Sequence, residues 1–277
     1  MNNKQTISVV LATYNEENNL AACLDSIKDI ADEIVVVDGS SKDRTVEIAK
    51  KYGAKIKVTT NKPIFHINKQ MAIDMATSDW VLQLDADEIV SPELKDEILG
   101  ILDKENHKSS IPIKSGSIIN HKSDVNGYWI PRKNWFLGRF LLKGGQYPDY
   151  TLRLYKRGKG RLPQKDVHEQ AEVEGKIEYL KNPLLHYPYK NFRDYHFKWN
   201  RYTDLIASQT KEKMKNKNII LKIFYGIGFL FIKPLYWFFI IYMRHKGFMD
   251  LWPGFVFSLF SSLRFPVSYI KYVRFKT

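Results

Sequence analysis

Apolar residues open the chain in unbroken runs rather than in alternation. Ile7 to Ala12, Glu33 to Val37, Ile56 to Thr59 and Trp80 to Leu84 read as strands. Between them the spacing is helical: Glu16 to Ile30 (with Leu20, Cys23, Leu24 and Ile27), Asp43 to Tyr52 closed by Gly53, and Asn68 to Ala76. Strands that are apolar throughout predict a parallel sheet covered by helices on both faces, an α/β architecture. Pro92 starts a further helix, Glu93 to Leu102, after which Lys108 to Lys190 becomes irregular and rich in Gly, Pro and aromatics, predicting short strands and loops. A charged connector, Lys211 to Asn218, leads into an apolar tail.

Charge changes the picture of that tail. Net charge is +13, yet 26 Lys+Arg and 26 Asp+Glu precede residue 181 while 17 and 4 follow it. A neutral body with a basic, aromatic-rich tail points to an anionic membrane surface, and recognition modules for nucleic acid are absent. Ile219 to Met243 is 25 residues of strongly apolar character, long enough by count to cross a bilayer, but it carries Lys222, Lys233 and Pro234. On a regular helix Lys222, Lys233 and Arg244, eleven residues apart, fall within about 40° of one another, and Pro234 permits a kink or a break into two shorter helices. This favours a helix lying in the interface over one spanning about 30 Å of hydrocarbon, with a buried core helix as the third option. Trp237 and Trp252, with Arg264, Lys271 and Arg274, are headgroup-depth anchors on this view. The single Cys23 excludes an internal disulfide and a cysteine metal cluster and fits a reducing compartment. The polar Met1 to Ser8 lacks the order of a secretory leader, which predicts a protein that is not exported.

In open α/β sheets chemistry sits just beyond the strands' carboxyl ends, here Thr13 to Glu16, Asp38 to Ser41 and Asp85 to Glu88. The strand Trp80-Val-Leu-Gln-Leu ends in Asp85-Ala-Asp-Glu88, three carboxylates in four residues. If the strand continues, Asp85 and Asp87 share a side and suit Mg²⁺ or Mn²⁺ with diphosphate oxygens; the alternative is a solvated turn or helix cap.

Ser8-Val-Val-Leu-Ala-Thr-Tyr-Asn-Glu-Glu17, Ile34-Val-Val-Val-Asp-Gly-Ser-Ser-Lys-Asp43 and Leu84-Asp-Ala-Asp-Glu88 together resemble the nucleotide-sugar half of family 2 glycosyltransferases of the GT-A fold. The resemblance covers residues 6 to 105 and extends more loosely, through members like the lipopolysaccharide-core glucosyltransferases, over the rest. It implies a mostly parallel central sheet flanked by helices, to which the tail's own charge and apolar spacing add a C-terminal amphipathic helical extension that associates with membranes. Residues 1–105 would form the nucleotide-sugar half, 106–210 the acceptor and catalytic half, and 211–277 the membrane tail.

Thr13, Tyr14, Asn15, Glu16 and Asp38 would hold the nucleotide, Lys69 the diphosphate, and Asp85 and Ala86 the sugar nucleotide. Gln70 stands where the family has an Asn beside that lysine. Asp85, Asp87 and a late histidine, His168, would bind the divalent metal, and the imidazole tilts the choice toward Mn²⁺. Gln146 to Tyr155 resembles the segment that carries the family's catalytic acid, making Asp149 the base and Glu169 its rival. Arg132 and Arg153 are read as phosphate contacts or ion pairs, and Trp129 and Trp135 as core aromatics or sugar platforms.

The function implied is inverting, metal-dependent transfer of a hexose from a UDP-linked sugar to a lipid-linked saccharide, peripherally at the cytoplasmic face of the cell membrane. Transfer to polyprenyl phosphate, a nucleotidyltransferase and a non-catalytic membrane-adsorbing protein are the alternatives.

Overall fold

The computed structural model of the chain describes residues 4–62, 64–109, 124–163 and 170–274. They form two compact units: residues 1–132 with 149–186, and residues 133–148 with 187–277.

The first unit is built as the apolar runs require. In chain order it carries β1 (Ile7–Thr13), α1 (Leu20–Ile27), β2 (Glu33–Asp38), α2 (Thr45–Lys51), β3 (Lys55–Val58), α3 (His66–Asp74), β4 (Trp80–Leu84), β5 (Glu88–Val90) and α4 (Pro92–Ser109). There follow β6 (Val125–Phe136), β7 (Arg139–Leu141), β8 (Asp149–Lys156), β9 (Gly160–Arg161), β10 (Glu172–Val173), β11 (Lys176–Tyr179) and β12 (Leu184–His186). β6 begins in the first unit and its last four residues, with β7, belong to the second.

The sheet runs β3-β2-β1-β4-β8-β6-β12-β5. Its first four strands are parallel, whereas β4 with β8 and β8 with β6 are antiparallel, so the sheet is mixed. β1, β2 and β4 are buried on both faces. Leu20, Leu24, Leu94 and Ile98 cover one side, and Ala72 and Ile73 cover the other. The exposed outer strand β3 carries Lys55 and Lys57, which discourage edge pairing. The parallel register sets Thr13 opposite Asp38, and so delivers both loops to the same end of the sheet.

The second unit adds α5 (Phe192–Met214), α6 (Ile219–Ile227), α7 (Lys233–Phe239) and α8 (Leu251–Arg274). Asn191 and Asn218 cap α5 and α6 by accepting from the amides of Asp194 and Leu221. The β6–β7 hairpin turns on Leu137 and Gly138, both at positive φ. Phe136, Leu141, Tyr195 and Val256 form one cluster, and Ala207, Met214 and Tyr272 another. Asp250 is buried and accepts from the amides of Leu142 and Lys143.

Three expectations are corrected. The irregular stretch holds a twelve-residue strand and an eight-residue one, whose half-exposed aromatic pattern hides the pleat. Half of the charged connector, Lys211 to Met214, is the last turn of α5, leaving Lys215 to Asn218 to join it to α6. Pro234 does not break the tail: Ile219–Arg244 is one continuous helical run. A π-helical segment, Gly228–Ile232, precedes the proline, and a second spans Ile240–Arg244. These wider turns shift the phase of the helix, so the regular 100° spacing no longer applies between Lys222, Lys233 and Arg244. Arg244 is exposed, while Lys233 turns onto Tyr225, Phe229 and Phe265.

Candidate active site

A cleft of about 280 Å³ opens in the first unit, lined by Thr13, Tyr14, Glu16, Lys69, Asp87 and His186 among others. The loop after β1 forms one wall because its backbone is tied to the loop after β2. Asn15, at φ 57, donates its amide to Ser41 Oγ and accepts from the amide of Lys42, and Glu16 N donates to Thr45 Oγ1. Asp38 stands behind this wall. Fully buried, it accepts from Thr13 Oγ1 at 2.9 Å and from Ser41 N and Oγ at 2.8 and 2.6 Å.

β4 ends at Leu84, so Asp85 and Asp87 do not continue a strand on one side. Glu88 closes a turn instead: its amide donates to Asp85 O at 3.0 Å, and its Oε2 accepts from Asp85 N at 2.9 Å. The two aspartates thereby face different partners. Asp85 is gripped by Lys69 through Oδ1 and by Arg153 Nη2 through Oδ2 at 2.6 Å. Asp87 Oδ2 lies 3.5 Å from His186 Nε2.

Glu88, with no exposed surface, is the hub of a longer ion-pair chain. Its Oε1 accepts from Arg153 Nη2 at 2.9 Å and Arg132 Nη1 at 3.3 Å. Arg132 in turn donates from Nε and Nη2 to Asp149 Oδ2, at 3.0 and 2.7 Å. Lys69, Asp85, Arg153, Glu88, Arg132 and Asp149 thus alternate in sign across the site.

Burial alone would raise the Asp85 carboxyl, but Arg153 and Lys69 hold it far below the usual carboxylate range. The Arg153 and Arg132 guanidinium groups are correspondingly raised despite their burial. Lys69 moves the other way, because desolvation outweighs Asp85. Burial, then Glu88, Asp87 and Asp85, pushes the Cys23 thiol well up, leaving it an unreactive core residue.

A second cavity, of about 220 Å³, shares Phe65, Lys69 and Asp85 with the cleft and adds Gln83, Arg132, Thr151 and Arg153. Trp129 stacks on Tyr179, and Trp135 meets Phe140 edge-on. Gln70, in the unusual position, donates to Asp74 and accepts from Leu162 N, so it holds α3 to the strand region and lines neither cavity.

A model described as "Glycosyl transferase family 2" matches residues 8–161, more than half of the chain. The chain belongs to that family. Its mixed sheet with flanking helices is the GT-A arrangement that the opening motifs imply. It is 41% identical over 120 residues to an uncharacterized glycosyltransferase of Rickettsia typhi, covering 43% of this chain and 40% of the relative. It is 26% identical over 280 residues to the lipopolysaccharide core biosynthesis glycosyltransferase LpsC of Rhizobium meliloti, covering 94% and 92%. The chain spans about two-fifths of the length of the Rickettsia relatives. Among solved structures, S. aureus TarS residues 1–349 aligns over 98% of this chain and 88% of that one, at 16% identity and a TM-score of 0.45.

The structure thus brings Thr13, Tyr14, Glu16, Lys69, Asp85, Ala86 and Asp87 to one cleft, and sets Asp149 at the far end of the ion-pair chain. Asp38 and Asn15 support the cleft from outside its lining. His168 and Glu169 lie outside the described residues. Among the described residues no three His, Cys, Asp or Glu side chains converge as a complete metal site. The sequence reading missed His186 and the role of Glu88. His186 reaches the cleft because β12 pairs antiparallel with β5, opposite Glu88, a long-range pairing with no local signal. Glu88 stands in the acidic cluster itself, and its apolar neighbours Ile89 and Val90 were the available sign of burial.

Proposed function

We propose that the chain is an inverting, metal-dependent hexosyltransferase acting from a UDP-linked sugar onto a lipid-linked saccharide, such as lipopolysaccharide core or another cell-envelope glycan. The observation that carries this reading is the cleft where Lys69, Asp85 and Asp87 meet the loop after β1, in a chain of this family.

The donor side chains fit a divalent ion at Asp87. That carboxylate is partly exposed to the cleft and faces an imidazole, whereas Asp85 is already held by two cations. Asp87 and His186 would hold the ion, with Asp85 joining by releasing Lys69 or Arg153, and His168 as the further candidate ligand. When bound, the ion supplies positive charge to the diphosphate. An O/N donor set suits Mn²⁺ better than Mg²⁺.

Thr13, Tyr14, Asn15 and Glu16 bind the nucleotide, with Asp38 fixing Thr13 from behind, and Ala86 lies against the donor. Lys69 receives the charge that develops on the departing nucleoside diphosphate. Asp149 is the base. Two bonds from Arg132 to its Oδ2 fix the carboxylate that takes the acceptor hydroxyl proton. The hydroxyl oxygen bonds to the anomeric carbon as the glycosidic bond to phosphate breaks, and the pair of electrons leaves with the nucleoside diphosphate. One displacement inverts the anomeric centre.

The lipid character of the acceptor is supported by the second unit. Among the described residues, Ile219–Arg244 is the one helical run long and apolar enough to cross a membrane. Phe231, Leu235 and Phe239 on it, and Trp252 at the start of α8, are more than half exposed. This surface, with Lys222, Lys233, Arg244 and Trp237, lies in the plane of an anionic membrane interface on the cytoplasmic side, so that the protein attaches peripherally.

Thermal shift with UDP, GDP or CDP and Mn²⁺ tests the donor site. A rise with one nucleotide that requires Mn²⁺ and is lost in Asp87→Ala supports the reading; no rise with any nucleotide overturns it. In transfer assays Asp149→Asn is expected to lower kcat about 10²- to 10⁴-fold. Should Glu169→Gln do so instead, the base is Glu169. Activity on bare polyprenyl phosphate would move the acceptor to that lipid, and release of pyrophosphate would indicate nucleotidyl transfer.

A further inference from the structure

Among the described residues, two cationic side chains of the second unit have no carboxylate partner. Lys233, at the start of α7, sets Nζ 3.8 Å from the Phe229 ring centroid and 5.5 and 5.6 Å from those of Tyr225 and Phe265. Arg264 of α8 stacks on the same Phe265 at 4.9 Å and on Trp237 at 5.6 Å. Its Nε is buried and has no hydrogen-bond partner. Lys213 of α5 adds a third positive charge that acts on Lys233.

Carboxylates are scarce here. This unit has 19 Lys+Arg and four acidic residues, Asp194, Asp204, Glu212 and Asp250. Three of those are committed to Lys198, Lys271 and Arg139. Among the described residues no acidic group pairs with Lys233 or Arg264. Ring faces attract cations through their quadrupole but carry no net charge, so the positive charge at this spot stays uncompensated.

A phosphate group meets both requirements. Its oxygens accept from a lysine ammonium and from the N–H groups of a guanidinium, forming charge-assisted bonds. The neighbouring surface narrows the source. Phe231, Ile232, Leu235, Tyr236 and Phe239 of the same helical run are 57–74% exposed. A soluble phosphate would leave that apolar strip in water, whereas a phospholipid covers it with acyl chain while its headgroup reaches the cations.

We infer that Lys233 and Arg264 form a binding site for the phosphate of a membrane phospholipid, walled by Phe229, Trp237 and Phe265. The site deepens the membrane reading above and rests on it.

The test uses the full chain and three vesicle preparations: phosphatidylcholine alone, phosphatidylcholine with phosphatidylglycerol, and phosphatidylcholine with oleate matched to the same surface potential. Wild-type protein is expected to bind the phosphatidylglycerol vesicles at least about tenfold more tightly than the oleate vesicles. In the double variant Lys233→Gln, Arg264→Gln this preference disappears. The control Lys215→Gln, Lys217→Gln removes the same charge from exposed positions and lowers binding to both anionic surfaces alike. Equal binding of wild type to the two anionic surfaces overturns the inference and leaves the membrane reading standing. Failure to bind any vesicle overturns both, while nucleotide-dependent stabilisation reports separately on the donor site.

A second measurement does not depend on the variants folding. Dihexanoyl phosphatidic acid, below its micelle concentration, is expected to raise the Tm of the wild type by several degrees. An equal rise with inorganic phosphate at the same concentration would overturn the lipid as the ligand.

Discussion

The two units treat positive charge held inside the fold or half-buried against it in opposite ways. In the first, 24 Lys+Arg stand against 26 Asp+Glu, and each cation of the cleft meets a carboxylate: Lys69 and Arg153 meet Asp85, Arg153 and Arg132 share Glu88, and Arg132 holds Asp149. In the second, 19 stand against four, and Lys233 and Arg264 meet aromatic rings. A cation closed by a carboxylate is internally satisfied and fixes geometry. One laid on a ring is held in place with its charge still available to an anion from outside. The first arrangement suits a site that must orient a base and a leaving group; the second suits a surface that must find an anionic partner.

Glu88 is where the closed arrangement is easiest to break. Glu88→Leu leaves a buried guanidinium, Arg153, and a half-buried one, Arg132, short of their shared acceptor, and urea unfolding is expected to show a loss of about 3–5 kcal/mol. A loss below about 1 kcal/mol would show that Asp85 and Asp149 suffice to balance the arginines.

Asp85 sharpens the comparison through pH. Its carboxyl is held below the ordinary range in the folded protein, so the unfolded chain binds the proton more readily. Its contribution is therefore complete above the ordinary carboxylate range, near pH 4, and drains away as pH falls further below it. Asp85→Asn is expected to cost about 1–3 kcal/mol at neutral pH and to flatten the acid limb of a stability profile. An unchanged limb would show that Lys69 and Arg153 do not stabilise the charge.

In the second unit the same operation should cost little. Lys233→Gln, Arg264→Gln removes ring contacts but breaks no ion pair, so lipid-free stability is expected to change by no more than about 1–2 kcal/mol. A larger loss would reveal a carboxylate partner and erase the contrast. Smallest of all is Trp252→Ala: with the residue 67% exposed, unfolding should shift by less than about 0.5 kcal/mol while vesicle binding weakens.

Much of the first unit was legible because its signals are local. Runs such as Val9-Val10-Leu11 and Val35-Val36-Val37 need no partner to declare a doubly covered strand, and the rule that chemistry follows strand ends located Thr13, Asp38 and Asp85. The later strands were illegible for the converse reason. β6 and β8 mix exposed and buried aromatics, and their pairing joins residues some twenty positions apart.

Sequence by itself determined the strand ends that carry the site, the family motifs, and the concentration of positive charge in the final third, since each depends on neighbours within a few residues. Only the tertiary structure decided what each charge touches. Asp85 and Asp87 are two residues apart, yet one faces Lys69 and Arg153 and the other His186, because Glu88 closes a turn, one of the two arrangements the sequence left open. Lys233, placed by simple helical spacing in line with two other cations, turns onto aromatic rings because π-helical turns change the phase ahead of it. Ionic and ring contacts act through space over a few ångströms, and the chain separations they bridge, 68 residues for Arg153 and Asp85, lie beyond any local pattern.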